Sequence, residues 1–372
     1  MDKFIYTPIS VGVPGEIVLE YLESQSWTQS ELARRAGMTR KTINEVCNGK
    51  AKITPATALA FEKTLGRPAH FWLTLQVRYD EAKERQLERE KSNDWDAWAK
   101  QFPIAEMKKR GWLPKARGAN PADLLKYLGV SSPDSWNSVW KAQQVAFRQT
   151  RAYETNDYAI SAWLRSVELG ADKITVEDFN ENLLLDALYK IKACTRRTID
   201  EALDEIEQIL AQCGVALVLA PELPKTGISG CTRWVNKKKA IIALTLRYKW
   251  DDQIWFTLFH ELGHVLLHRG KYTLILDNPQ DQLTDIIIDP EMRGIEEEAN
   301  RFAADIMIPP QLLQEFLSFG VVNSEYIEKF AQAVGISPGI VVGRLQYEGV
   351  LEPHMGNALK QRVDWTYEVN GD

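Results

Sequence analysis

The sequence predicts a multidomain, mainly α protein: an N-terminal five-helix bundle, a helical middle region and a C-terminal α+β domain. Three observations carry this expectation. The chain has 372 residues, more than one compact core accommodates. Helix-period apolar stripes with cap residues dominate as far as Gln212. Apolar, β-rich stretches then follow at Val215 to Leu219 and Ala240 to Leu246, with helices after them. The expected boundaries are 1–90, 91–197, 198–320 and 321–372.

In the first segment Pro14 opens a helix with the apolar stripe Ile17, Val18, Tyr21 and Leu22. Thr28 caps the next, with Glu31 completing a capping box ahead of Leu32, Ala33 and Ala36, and Gly37 stops it. Thr39 caps a third, whose inward residues are Ile43, Val46 and Cys47 and which ends at Asn48-Gly49. Thr54-Pro55 starts a fourth helix, ended near Gly66, and Pro68 opens a fifth running toward Glu90.

The middle region stays helical, with breaks at Gly111 to Pro121 and Ser131 to Pro133. It holds six of the twelve tryptophans: Trp95, Trp98, Trp112, Trp136, Trp140 and Trp163. An aromatic ligand cage is one reading; tryptophans filling a helical core or a seam between domains is the better one. Thr198 to Gln212 is amphipathic through Ile199, Leu203, Ile206 and Leu210. Helices are expected from Asp252 to His268 and from Ile295 to Ile308, with a helical tail to Tyr347.

Composition narrows the class. Hydrophobic residues make up 45% and charged residues 26%, as in ordinary globular proteins. No stretch approaches the roughly 18 apolar residues of a spanning helix, and MDKFIYTPIS has no signal-peptide core, so no membrane role is expected. Cys47, Cys194, Cys213 and Cys231 form no CxxC pair, which favours buried thiols in a reducing cytoplasm. The net charge is −6, yet Trp27 to Thr54 carries six bases against two acids. A small basic module on an acidic body is the footprint of a tethered DNA binder.

Helix, glycine turn, helix is the spacing of a helix-turn-helix, whose second helix lies in the major groove. Outward on that helix stand Arg40, Lys41, Thr42 and Asn44, types suited to phosphates and base edges, with Asn44 matched to adenine and Arg40 to guanine. Gln29 is placed to fix a phosphate, and Thr39 and Lys50 complete the expected DNA-facing set. The stretch SQSWTQSELARRAGMTRKTINEVCNGKAKITPATALAFEKTLGRPAHFWLTLQ resembles the Xre-type helix-turn-helix family, and within it HigA-type antitoxins, over about residues 10 to 90. That resemblance implies a homodimer on a palindromic operator in double-stranded DNA, and a toxin partner.

FHELGHVLLH, residues 259–268, carries the second chemistry. His260 and His264, four apart, share a helix face and can share a metal, while Glu261 reaches its water. The helix is apolar nearly all round, so burying two imidazoles on it is costly without a metal or other partners. Three of the five histidines fall within this segment. A catalytic zinc site needs a third protein ligand, and IEEEANRFAADIMIPP (295–310) offers candidates. Extending its inward stripe of Ala299, Phe302, Ala303 and Ile306 back one turn reaches Glu296, the first choice, with Glu298 second and Glu297 pointing away. Asn300 is placed to hydrogen-bond a ligand. His268 is read as an alternative ligand or helix-end histidine.

These two stretches resemble the ImmA/IrrE family of zinc-dependent metallopeptidases over about residues 200 to 320, separated here by an insert from Lys271 to Arg293. The middle region resembles that of long proteins joining an Xre domain to an ImmA/IrrE domain. The resemblance implies a zincin-like fold, Zn2+ held by His260, His264 and Glu296, Glu261 as base, and a repressor-type protein or the chain itself as substrate. The expected function is thus a transcriptional regulator with its own metalloendopeptidase. The rival is an antitoxin-like autorepressor whose metal domain is structural or senses a ligand or partner.

Overall fold

The computed structural model describes residues 12–92, 95–115, 118, 120–141, 156–245, 249–270, 274–277, 290–320 and 322–363. It divides into two compact units, Met1–Asp96 and Ala97–Asp372.

The first unit contains α1 (Pro14–Ser24), α2 (Gln29–Ala36), α3 (Arg40–Cys47), α4 (Pro55–Leu65) and α5 (Ala69–Ser92). The threonine caps form as expected: Thr28, Thr39 and Thr54 each accept the backbone N–H three residues on. Gly37 ends α2 in the left-handed region at φ 67°. The capping box at Thr28 is only half made. Glu31 turns instead to Arg34 and Arg35, where charge-assisted bonds outcompete a neutral backbone donor. Val18, Leu32, Ile43, Ala58 and Phe61 close around Trp72, which is fully buried and meets Tyr21, Phe61 and Phe71 edge-on at 5.1–5.6 Å.

The second unit is built on a four-stranded mixed sheet. Its strands are β1 (Val215–Leu219), β2 (Gly230–Asn236), β3 (Lys239–Leu244) and β4 (Leu274–Asp277), in the order β1-β3-β2-β4. β1 runs parallel to β3, and β2 antiparallel to both β3 and β4. Two of the strands went unread in the sequence. β4 lies inside the insert from Lys271 to Arg293, of which 271–273 and 278–289 fall outside the described residues. Leu246, the expected end of the second β stretch, is also outside them.

Alternate strand residues feed two cores. Leu217, Ala240 and Ile242 face one; Ala216, Val218, Ile241 and Ala243 face the other. The second core is covered by the middle region, including Pro121–Leu128 (α6) and Asp157–Ala171 (α7). Trp136, Trp140 and Trp163 are buried in it and Trp98 and Trp112 pack against it, so these tryptophans are core. On the first face lie α8 (Glu181–Cys194), α9 (Ile199–Gln212) and α10 (Asp251–Leu267). Thr198 and Glu201 make a full capping box on α9, and Ala202 joins Ile199, Ile206 and Leu210 in its buried stripe, with Leu203 partly buried beside them.

The tail joins the same core through α11 (Pro290–Met307), α12 (Pro310–Ser318), α13 (Ser324–Val334) and α14 (Pro338–Tyr347). It also anchors the start of α10. Ser337 donates its hydroxyl and Gln361 its N–H to Asp251, while Lys360 reaches buried Asp252 at 2.7 Å. No described helix is long and apolar enough to cross a membrane.

Trp72 is the bulk of the first unit's core, so Trp72→Ala should cost that unit roughly 3–5 kcal/mol. Chemical denaturation followed by far-UV circular dichroism should show its transition move while that of the second unit stays put.

Candidate functional site

In the first unit, α3 presents Arg40, Lys41 and Asn44 to solvent, with Thr42 half-buried and Lys50 exposed beyond the helix end. Gln29 starts α2 and is half-buried. Thr39 is spent on capping: its hydroxyl accepts from Thr42 N–H at 3.1 Å and lies 2.9 Å from the Thr42 hydroxyl. Four of the six bases are already paired, Arg34 and Arg35 with Glu31, Lys52 with Asp80 and Lys41 with Glu45. Arg40 and Lys50 are in no ion pair among the described residues, and Lys41 stands 3.9 Å from Glu45. One residue escaped the sequence reading. Asn48, taken as a helix stop, donates its Nδ2 to the Asn44 carbonyl at 2.7 Å and to Asn44 Oδ1 at 3.0 Å. The side chain best suited to read a base is therefore held in one orientation, and the i, i+4 spacing was the available signal.

In the second unit α10 and α11 pack face to face. Gly263 permits the approach: a Cβ there would stand 3.0 Å from the Phe302 ring and 3.3 Å from Ala299 Cα. The contact brings Glu296 over the histidines. His260 Nε2 and His264 Nε2 are 2.9 Å apart, with Glu296 Oε2 3.2 Å from the first and Oε1 3.6 Å from the second. All three ligand atoms fit within 4.8 Å of one another. Glu296 Oε1 is buried without a hydrogen-bond partner, as expected of an atom meant for a cation.

The protonation states suit such a cation. Burial pushes the His264 imidazole down to about 4, against the pull of the Glu296 carboxylate, so it is neutral at pH 7. Burial opposes the charge on Glu296, but the imidazoles of His264 and His260 outweigh it and hold the carboxyl well below its usual range. Two imidazoles, that of His264 neutral, and one carboxylate are a donor set for a divalent metal.

The remaining predicted residues surround this group. Asn300 Oδ1 is 2.9 Å from His260 Nδ1. His268 caps α10, nearly fully buried, with Nδ1 2.9 Å from His264 Nδ1 and Nε2 3.1 Å from Glu298 Oε2. Glu297 is exposed. Glu261 is fully buried, and its seat comes from β2, which sequence reasoning missed. Thr232 Oγ1 lies 2.6 Å from Glu261 Oε2, and a Cβ on Gly230 would stand 2.2 Å from Oε1, so a side chain there would displace the carboxylate. Burial along β2 runs from buried to exposed without alternating, so the strand carried no period-two signal. Beside the group opens a cavity of about 600 Å³, lined by Phe256, Thr257, Asn300, Arg301, Ile340 and Arg344 among others.

Comparison with known proteins finds a match for a stretch of each unit. A helix-turn-helix family profile matches residues 18–72, and an IrrE N-terminal-like domain profile matches residues 233–346. Antitoxin HigA-1 of Vibrio cholerae is 32% identical over 80 residues, covering 22% of this chain and 73% of that protein. YddM of Escherichia coli, described as an uncharacterized HTH-type transcriptional regulator, is 32% identical over 63 residues, 17% of this chain and 67% of its own. Among solved structures, an addiction module antidote protein of the HigA family from Coxiella burnetii shares 29% identity. It covers 23% of this chain and 92% of that one, with a TM-score of 0.22. The chain therefore belongs to the Xre-type helix-turn-helix family in which HigA antitoxins are found, and joins to that domain an IrrE N-terminal-like, peptidase-type domain.

Proposed function

We propose that this protein is a cytoplasmic, antitoxin-like transcriptional regulator whose second unit is a zinc-dependent metalloendopeptidase. The observation that carries the enzymatic half is the convergence of His260, His264 and Glu296 beside buried Glu261. Zinc, when bound, supplies Lewis acidity that brings a water to a pKa of about 7 and polarises a carbonyl. His260 and His264 would hold it through Nε2, and Glu296 through its carboxylate. Asn300 keeps the His260 ring in place by accepting at Nδ1. Glu261 takes a proton from the attacking water on its carboxylate and passes it to the departing amine. Thr232 fixes that carboxylate until substrate arrives. The adjoining cavity of about 600 Å³ has the size of a ligand pocket. The substrate is a repressor-type protein or the chain itself, in cis or between partners of a homodimer.

The DNA half rests on the exposed face of α3. Arg40, Lys41, Thr42 and Asn44 face the major groove of a palindromic operator, with Gln29 and Lys50 at the backbone. A homodimer places two such helices on two half-sites, and a toxin is the natural protein partner given the HigA relative.

One observation favours a second, non-proteolytic reading. Glu261 is fully enclosed and bonded to Thr232, so a metal domain that only senses a partner fits the same geometry.

Three experiments follow. Replacing Asn44 by Ala should cost roughly 1–3 kcal/mol on the cognate operator and little on random DNA, in titrations at fixed salt; equal losses on both would remove it from base readout. Elemental analysis should find about one zinc per chain, lost in Glu296→Ala and kept at saturation in Glu298→Ala; the reverse would exchange the two carboxylates. Glu261→Gln should retain zinc and operator binding while abolishing cleavage of a repressor-type protein or of itself. If mutant and wild-type incubations look alike on a gel, the non-proteolytic reading stands.

A further inference from the structure

We propose that Glu298 and His268 form a hydrogen-bonded relay that fixes the tautomer of His264, making both of them positioning residues for a metal that neither touches. This inference rests on the metal reading above and adds to it the means by which one ligand is kept ready to bind.

His264 uses both ring nitrogens. Its Nε2 faces His260 and Glu296, and its Nδ1 faces His268 Nδ1 at 2.9 Å. A nitrogen that ligates a metal must offer its lone pair, so the one proton of neutral His264 has to sit on Nδ1. That proton needs an acceptor opposite. His268 Nδ1 accepts only when its own proton lies on Nε2. The atom facing that Nε2, at 3.1 Å, is Glu298 Oε2, and an ionised carboxylate can only accept. One carboxylate thus orders two imidazoles in series. In the opposite order, His268 would turn a lone pair toward Glu298 and a proton toward His264, forcing the His264 proton onto the ligating nitrogen. His260 reaches the same state in a single step, through Asn300 Oδ1.

Glu296 and Glu298, both on α11, divide this work by position. Two residues apart on a helix, Glu296 and Glu298 point about 200° away from each other and cannot serve one ion together. Glu296 lies over the ligating nitrogens, whereas Glu298 meets the far end of the relay at the protein surface, its side chain 58% exposed. His264 and His268 are each only 1% exposed, so protein groups rather than solvent must order them.

Zinc itself is the probe, with affinity read by competition against a chelator. His268→Phe should weaken zinc binding by about 10- to 100-fold. His268→Gln, which keeps a side-chain acceptor, should recover most of that loss. Glu298→Ala should lose less than His268→Phe, because water can replace an exposed carboxylate. In zinc-loaded wild-type protein, 1H–15N NMR of the imidazoles should find the His264 proton on Nδ1 and the His268 proton on Nε2. A folded His268→Phe within twofold of wild type, or a His268 proton on Nδ1, overturns the relay. Should His268→Phe fail to fold, the NMR assignment and Glu298→Ala decide, the latter being a surface change. Wild-type protein that takes up no zinc would bring down the metal reading and the relay together. Zinc-binding wild type with an indifferent His268 brings down the relay alone.

Discussion

The metal group depends on how closely α11 can lie against α10. Helices with ordinary side chains at their contact keep their axes 8–10 Å apart. Here Gly263 meets Ala299, so the backbones approach with almost nothing between them. Glu296 sits one turn before Ala299, and that contact sets how far its carboxylate reaches. A site of this kind tolerates errors of about 0.5 Å. A bulkier residue at either position would lift the third donor off the histidines without altering a single ligand.

The same contact sets the electrostatics. The neutral His264 imidazole sets no positive charge against the ionised Glu296, and Glu261 lies buried close by. Such a group is poorly compensated by protein alone, as the buried Glu296 Oε1 shows, and it is suited to a dication. Around it the tail works as a clamp. Asp251 and Asp252 at the start of α10 are tied to Ser337, Lys360 and the Gln361 backbone, so the helix bearing the histidines is held at its far end by residues over eighty positions away.

Much of this was legible in the residues. The threonine caps, the left-handed Gly37 and the apolar spacing of α1 to α4 depend on neighbours within four positions, and short-range chemistry is what a sequence displays most openly. The inward stripe of α11 pointed to Glu296 for the same reason. What failed was longer in range. β2 mixes Arg233 and Trp234 with buried residues, and its place between β3 and β4 is fixed by pairing that no local pattern encodes. With it went the seat of Glu261, since Gly230 and Thr232 act only once that strand lies beside α10. Asn48 was hidden differently: its role as a helix stop was correct but masked its bond to Asn44.

The middle helices have a consequence for any self-processing route. They are the cover of one whole face of the sheet, supplying Phe102, Leu124, Trp136 and Trp163 to the core on which β1 and β3 rest. A cut among them would strip that face and expose a row of apolar strand residues, disabling the unit that made it. On the proteolytic reading, a separation that spares the second unit must therefore fall before Phe102, close to the division at Asp96. A break there would leave a working scissor behind, whereas one further along would make each molecule a single-use device.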